Sequence, residues 1–154
     1  AKVSYKAKAD AAAWNNGKKV TTGLESTEIM GHALIVHSYE GVRVACGIIV
    51  PCSNTVNYFV PYYSYTGGLK VKGYIRVDGD GVLATASQAL TWHLKGVDPA
   101  CAEAPDEEAH PYACGIHIHE GTSCTVESAA PYYNQEIFST DPWLALKYLA
   151  VNSK

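Results

Sequence analysis

Gly115-Ile116-His117-Ile118-His119-Glu120 alternates isoleucine with histidine. Successive side chains of an extended strand leave opposite faces, so Ile116 and Ile118 enter an apolar layer while both imidazoles emerge on the other side. That is chelating geometry; two exposed strand histidines without a metal are the plain alternative. A third imidazole, His37, ends the run Ile29-Met30-Gly31-His32-Ala33-Leu34-Ile35-Val36-His37, whose β-branched centre reads as a buried strand. Three imidazoles converging from two strands suit copper, zinc or nickel and require no thiolate.

The surrounding sequence keeps the same period. Val3, Tyr5, Ala7 and Ala9 alternate with polar residues, and Asn15-Asn16-Gly17 turns the chain. Tyr39-Glu40-Gly41 is a hairpin turn returning through Val42–Val50. Residues 51–68 are rich in Tyr, Pro and Asn and read as a connector with a short strand at Val56–Val60. Leu69–Val77 alternates, Asp78-Gly79-Asp80-Gly81 has turn chemistry, and Leu83–Leu94 continues as strand with Leu90, Trp92 and Leu94 on one face. An acidic, Pro-bearing loop separates Cys101 from Cys114, and Pro142–Leu149 reads as a strand or a short amphipathic turn. About eight short strands with closely spaced turn signals predict an all-β sandwich or barrel.

Composition narrows the function classes. At 154 residues the chain suits one domain. Twelve Lys and Arg against 15 Asp and Glu give a net charge of −3, which argues against binding nucleic acid or an anionic membrane through bulk charge. No run approaches the ~18 apolar residues needed to span a bilayer. The opening Ala-Lys-Val-Ser-Tyr carries neither an initiator Met nor an apolar signal core, and reads as the start of a processed or excerpted chain. Eleven Tyr against two Phe, with 13 Gly and seven Pro, favour strands and turns. Gly-x-Ser-x-Gly is absent, Asp78-Gly79-Asp80-Gly81 lacks the helix pattern of a phosphate loop, and its two carboxylates are too few for a calcium loop. His32, His93 and His110 read as ordinary surface or satisfied histidines.

Three stretches carry a family resemblance. Gly115–Glu120 resembles the Gly-x-His-x-His-Glu strand of the copper/zinc superoxide dismutases, and Gly121-Thr122-Ser123-Cys124 the loop that carries their disulfide cysteine. Gly31–His37 is similar to their Gly-Arg-x-Leu-Val-Val-His strand, and Val42–Ile49 to Ser-Arg-Leu-Ala-Cys-Gly-Val-Ile. The resemblance implies a Greek-key β-sandwich of about eight strands, with His37, His117 and His119 as copper ligands, Arg43 beside the copper, and a Cys46–Cys124 disulfide. Arg43 has an alternative role as a donor to a loop carbonyl. The order is permuted: residues 1–50 correspond to the family's late strands, 51–68 form the connector, and 69–154 correspond to the early strands, together one domain's worth. Either one chain closes its own sandwich, or halves pair between chains head to tail, giving rings or filaments.

The resemblance also has gaps. Ala129-Ala130-Pro131-Tyr132-Tyr133-Asn134 puts Tyr132 where the family has a histidine bridging copper to zinc. No His follows His119, so the remaining zinc ligands are missing, and only five residues separate His37 from Arg43, so the long charged loop is missing too. Copper is therefore the implied cofactor and zinc is not. A tyrosine, with an ordinary pKa near 10, is a poor stand-in for a group that exchanges protons near neutrality, so weak or absent dismutase turnover is expected. Tyr132 as a phenolate ligand is an alternative.

Five cysteines leave one over. Beside Cys46–Cys124, position alone pairs Cys101 with Cys114 around their loop, a closure that contributes on the order of 3 kcal/mol. Two bridges imply an oxidising, extracellular compartment. Cys52, in the connector, is either buried and reduced or a link between chains. The leading expectation is a secreted structural or assembly subunit that polymerises through shared half-domains and retains a three-histidine copper site. A copper-only superoxide dismutase and a copper-binding module without turnover are the alternatives.

Overall fold

Period-two alternation folds here into two antiparallel sheets with an apolar layer between them. The computed structural model describes residues 11–15 and 17–152, so the strand expected over Val3–Ala9, and Asn16 of the first turn, lie outside the described residues. Among the described residues the strands are β1 (Ala11–Trp14), β2 (Lys18–Thr21), β3 (Ala33–His37), β4 (Arg43–Ile48), β5 (Thr55–Val56), β6 (Val60–Pro61), β7 (Lys72–Asp80), β8 (Ser87–Lys95), β9 (Ile116–Ile118) and β10 (Val151–Asn152). The larger sheet runs β10-β1-β8-β7-β5, with β2 also paired to β8, and the smaller runs β6-β4-β3-β9. No helix among the described residues is long and apolar enough to cross a membrane.

The core is what the alternation buries. Leu90, Trp92 and Leu94 of β8 and Ile75 and Val77 of β7 meet Leu34 and Val36 of β3 and Ile116 and Ile118 of β9, all fully or almost fully buried. Burying each such side chain contributes about 1.5–3 kcal/mol. The outer face of the smaller sheet carries a second apolar cluster, Ala33, Ile35, Cys46 and Tyr62.

Strands from both ends of the sequence share both sheets. β1 lies between β10 and β8, and β3 lies between β4 and β9. β1 and β10 pair antiparallel, Ala11 opposite Asn152 and Ala12 opposite Val151. Residues 1–50 and 69–154 thus interleave within one chain wherever they are described. The connector is woven in as well, because β5 pairs with β7 at the edge of one sheet and β6 with β4 at the edge of the other. In place of one strand over Val56–Val60 there are two, separated by a crossing from sheet to sheet.

Three other boundaries differ from expectation. Ile29 ends a short helix, α1 (Ser26–Ile29), closed by a reciprocal Glu25/Glu28 capping box, so the buried strand begins only at Ala33. Asp78-Gly79-Asp80 does not turn. These residues continue β7 opposite Ala89, Gln88 and Ser87, with Asp78 paired to Arg76 and Asp80 to Lys19. A Cβ on Gly79 would collide with Ser26 Oγ, so this glycine serves close approach, and the reversal falls to Gly81 at φ +77°. Leu83–Thr85 is accordingly a 3-10 turn and the next strand starts at Ser87. Pro142–Ala145 is likewise a 3-10 turn, capped by Asp141, whose carboxylate accepts from Trp143 N at 2.8 Å.

Candidate metal centre

β3 and β9 are hydrogen-bonded neighbours, with Ile35 opposite His117. Since Ile116 and Ile118 point into the core, His117 stands on the outer face of the smaller sheet. His37 reaches that face at the end of β3, where a register irregularity sets it opposite Arg43, and His119 follows β9 at an isolated bridge to Pro131. The three imidazoles converge: one ligand nitrogen of each lies within 4.8 Å of the others, and the ring centroids of His37 and His117 are 4.6 Å apart. Gly115 is required here, because a Cβ at that position would strike the His117 ring.

Hydrogen bonding sets the tautomers of two rings. His37 Nδ1 donates to Gly115 O at 3.3 Å and His119 Nδ1 to Ala129 O at 2.7 Å. Both therefore present a bare Nε2 lone pair to the cluster. His119 Nε2 and both ring nitrogens of His117 are buried without a hydrogen-bond partner. Such an orphan costs about 1–3 kcal/mol, so the chain holds this arrangement at a loss unless something accepts the lone pairs. Burial keeps the rings neutral. It pulls His37 from 6.5 down to about 3, helped by the nearby His119 and opposed by the Gly115 hydrogen bond. It pulls His119 to about 4, and His117 well below its ordinary value.

Arg43 of β4 is close enough to His37 and His119 to depress both. Its Nη1 donates to Ser128 O at 2.7 Å and to Tyr62 Oη at 2.9 Å. Tyr62 Oη also accepts from Ser128 N at 2.8 Å. Arg43 thus does bond a loop carbonyl while standing beside the imidazoles. It also lines a cleft of about 280 Å³ with Val42, Tyr62, Tyr65 and Glu127.

Tyr132, the residue that the resemblance sets at the bridging position, lies with its ring stacked 4.6 Å from that of His32. Burial, with Glu28 and Glu120 adding to it, raises its pKa above 10. The aromatic rings that flank the imidazoles belong to residues the sequence did not single out. Tyr112 stacks on His37 at 6.0 Å and meets His117 edge-on at 5.5 Å, and Trp143 lies 6.3 Å from His117. The Asp-Pro-Trp start of the 3-10 turn at 141–143 is the signal that could have marked Trp143 as pinned; for Tyr112, in a loop without periodicity, there is none.

Two disulfides brace the site. Cys46–Cys124 joins β4 to the loop after β9, and Cys101–Cys114 ties down the acidic loop that leads into Gly115. Beside the second bridge, Tyr148 Oη donates to His37 O at 2.7 Å, fixing the backbone of that imidazole from the C-terminal segment. Cys52 is free and exposed in the connector. Among the described residues Asp78 and Asp80 gather no third carboxylate, and His93 is exposed. Comparison with protein-family models, with curated proteins and with solved structures finds no match for this chain.

Proposed function

We propose that this domain is a copper-binding module on a Greek-key sandwich of the copper/zinc superoxide dismutase type in permuted strand order, with His37, His117 and His119 as the ligands. The observation that carries the reading is a cluster of three buried, neutral imidazoles in which His119 Nε2 and both ring nitrogens of His117 have no protein partner. All donors are imidazole nitrogens, a set suited to copper and poorly matched to the oxygen-seeking magnesium or calcium. Copper bound there would supply one-electron redox chemistry. The chain's own part is to hold three preformed lone pairs, to fix two tautomers through Gly115 and Ala129 carbonyls, and to shield the rings with Tyr112 and Trp143. The two disulfides support an oxidising, extracellular setting.

Competition titration with Cu(I) and Cu(II) chelators tests this. One copper per chain is expected, lost in His37→Ala; zinc held as tightly as copper would remove the assignment.

Dismutation is the second reading, and the observation that favours it is Arg43, a fixed cation beside the imidazoles and open to a cleft. Against rapid turnover stands Tyr132, a phenol with a raised pKa turned onto His32. Copper-loaded protein is expected to dismute superoxide slowly, and a rate near that of copper-only dismutases would defeat that expectation. Filament assembly by exchanged half-domains has less support, since the described strands of the two halves pair with each other in both sheets within one chain. Covalent pairing through Cys52 stands apart from it as a proposal of its own.

A further inference from the structure

The solvent face of the larger sheet carries a feature with no part in the copper site. Trp14, His93 and Tyr74 occupy one register row across β1, β8 and β7, each directly opposite the next. Their rings follow one another at 6.3 and 6.1 Å and lie within 35° of parallel. Trp14 is 58% exposed and Tyr74 45%. Cross-strand pairing explains why such rings sit side by side, but not why the largest of them is left in water. Rings of this kind, apolar in body with a polar tip, are the residues that recognition surfaces use.

The neighbouring rows supply charge. On one side Lys72 lies directly opposite Lys95, both exposed, and among the described residues neither has an ion-pair partner. Like charges facing each other across a strand pair are destabilising, a local cost that an anion laid over the row would remove. On the other side is Arg76, opposite Thr91 and paired to Asp78 at 3.1 Å. Within a chain of net charge −3 this face is a cationic, aromatic strip.

We propose that this face binds an acidic polysaccharide, with sugar rings packed on Trp14 and Tyr74 and uronate or sulfate groups on Lys72 and Lys95. Flat apolar sugar faces match the aromatic row, and spaced anionic groups match the lysine pair. Single-stranded nucleic acid also stacks on aromatic rings, but one phosphate per nucleotide calls for a longer cationic track than this strip offers, and the disulfides support an extracellular setting. The inference stands independently of the copper reading, because the two sites lie on different sheets.

Affinity electrophoresis of the full chain in gels containing polygalacturonate, heparin or a neutral β-glucan tests it. Retardation is expected in at least one acidic gel, falling with salt, and not in the neutral gel. Trp14→Ala and Tyr74→Ala should each weaken it about 30-fold. The double variant Lys72→Gln/Lys95→Gln, which touches no ring, should abolish the salt-sensitive part while the urea unfolding midpoint stays unchanged, showing that the fold is kept. No retardation in either acidic gel, equal retardation in the neutral gel, tighter binding to a single-stranded oligonucleotide, or self-association through Trp14 in sedimentation would each overturn it.

Discussion

Two strand histidines, His117 of β9 and His93 of β8, begin from the same local pattern and end as different chemical groups. Each sits between core residues, Ile116 and Ile118 in one case and Trp92 and Leu94 in the other, so alternation sends each to the outer face of its sheet. His117 is 0% exposed, with the rings of His37, Tyr112 and Trp143 beside it, and its ring nitrogens have no hydrogen-bond partner. His93 is exposed, flanked by two aromatic rings and open to water. The strand period decides the side on which a histidine emerges. What roofs that side decides whether it remains a solvated side chain or becomes a buried, neutral donor without a partner.

The contrast breaks most easily at copper. His117→Ala removes one of the three proposed ligands and is expected to weaken copper binding by about 100-fold or more, beyond the ~10–100-fold typical of outer-shell changes, whereas His93→Ala should leave it unchanged. Competition titrations read both, and equal losses would erase the distinction. Next comes stability without metal. His117→Leu replaces orphaned nitrogens with carbon of similar volume, so the metal-free protein should keep its stability or gain about 1–2 kcal/mol in urea unfolding, while His93→Leu should change little. A clear loss for His117→Leu would mean that its nitrogens have partners after all.

A pH series sharpens the same point. The buried histidines hold fewer protons folded than unfolded wherever the pH lies below 6.5 and above their lowered values of about 3 and about 4. Metal-free stability therefore rises with pH from about 4 to 6.5 and loses this dependence above it, each histidine adding up to ~1.4 kcal/mol per unit. Copper, which needs the neutral rings, should stay bound well below pH 6.5. Release midway between pH 6 and 7 would show ordinary, solvated imidazoles. Tyr62→Phe tests the roof and not the ligands: Ser128 N and one Arg43 donor lose their acceptor, for about 1–2 kcal/mol in thermal unfolding with copper stoichiometry intact. The smallest effect on folding is expected at exposed Cys52, where Cys52→Ser should shift stability by under ~0.5 kcal/mol yet remove any disulfide-linked dimer seen on nonreducing gels.

The β3–β4 hairpin and β9 were legible because buried antiparallel strands announce themselves by β-branched residues and alternation, as in Ala33–His37 and Arg43–Ile48. The convergence of His37 with His117 and His119 was legible only through resemblance, since no local rule says that residues 80 to 84 positions apart will pair. Asp78-Gly79-Asp80 misled because turn chemistry was read one residue at a time. Partners at Arg76 and Lys19, and the close approach of Ser26, made extended backbone the better state. Tyr62, Tyr112 and Trp143 lie outside regular alternating strands, placed by contacts distant in sequence, so periodicity had no purchase on them.

The pairing of β1 with β10 has a mechanical consequence. Ala11 and Asn152 are opposed at the end of an antiparallel ladder, so tension applied between them would load its hydrogen bonds one at a time and not all together. The larger sheet would yield by peeling from that edge at low force. The Cys46–Cys124 bridge, spanning 78 positions, would then cap the extension and hold the chain between those cysteines, with the connector, β7, β8 and β9, out of the stretched length. A pull on the ends would thus spend itself on the outer strands while the bridge between Cys46 and Cys124 keeps the β4 and β9 sides of the imidazole cluster joined.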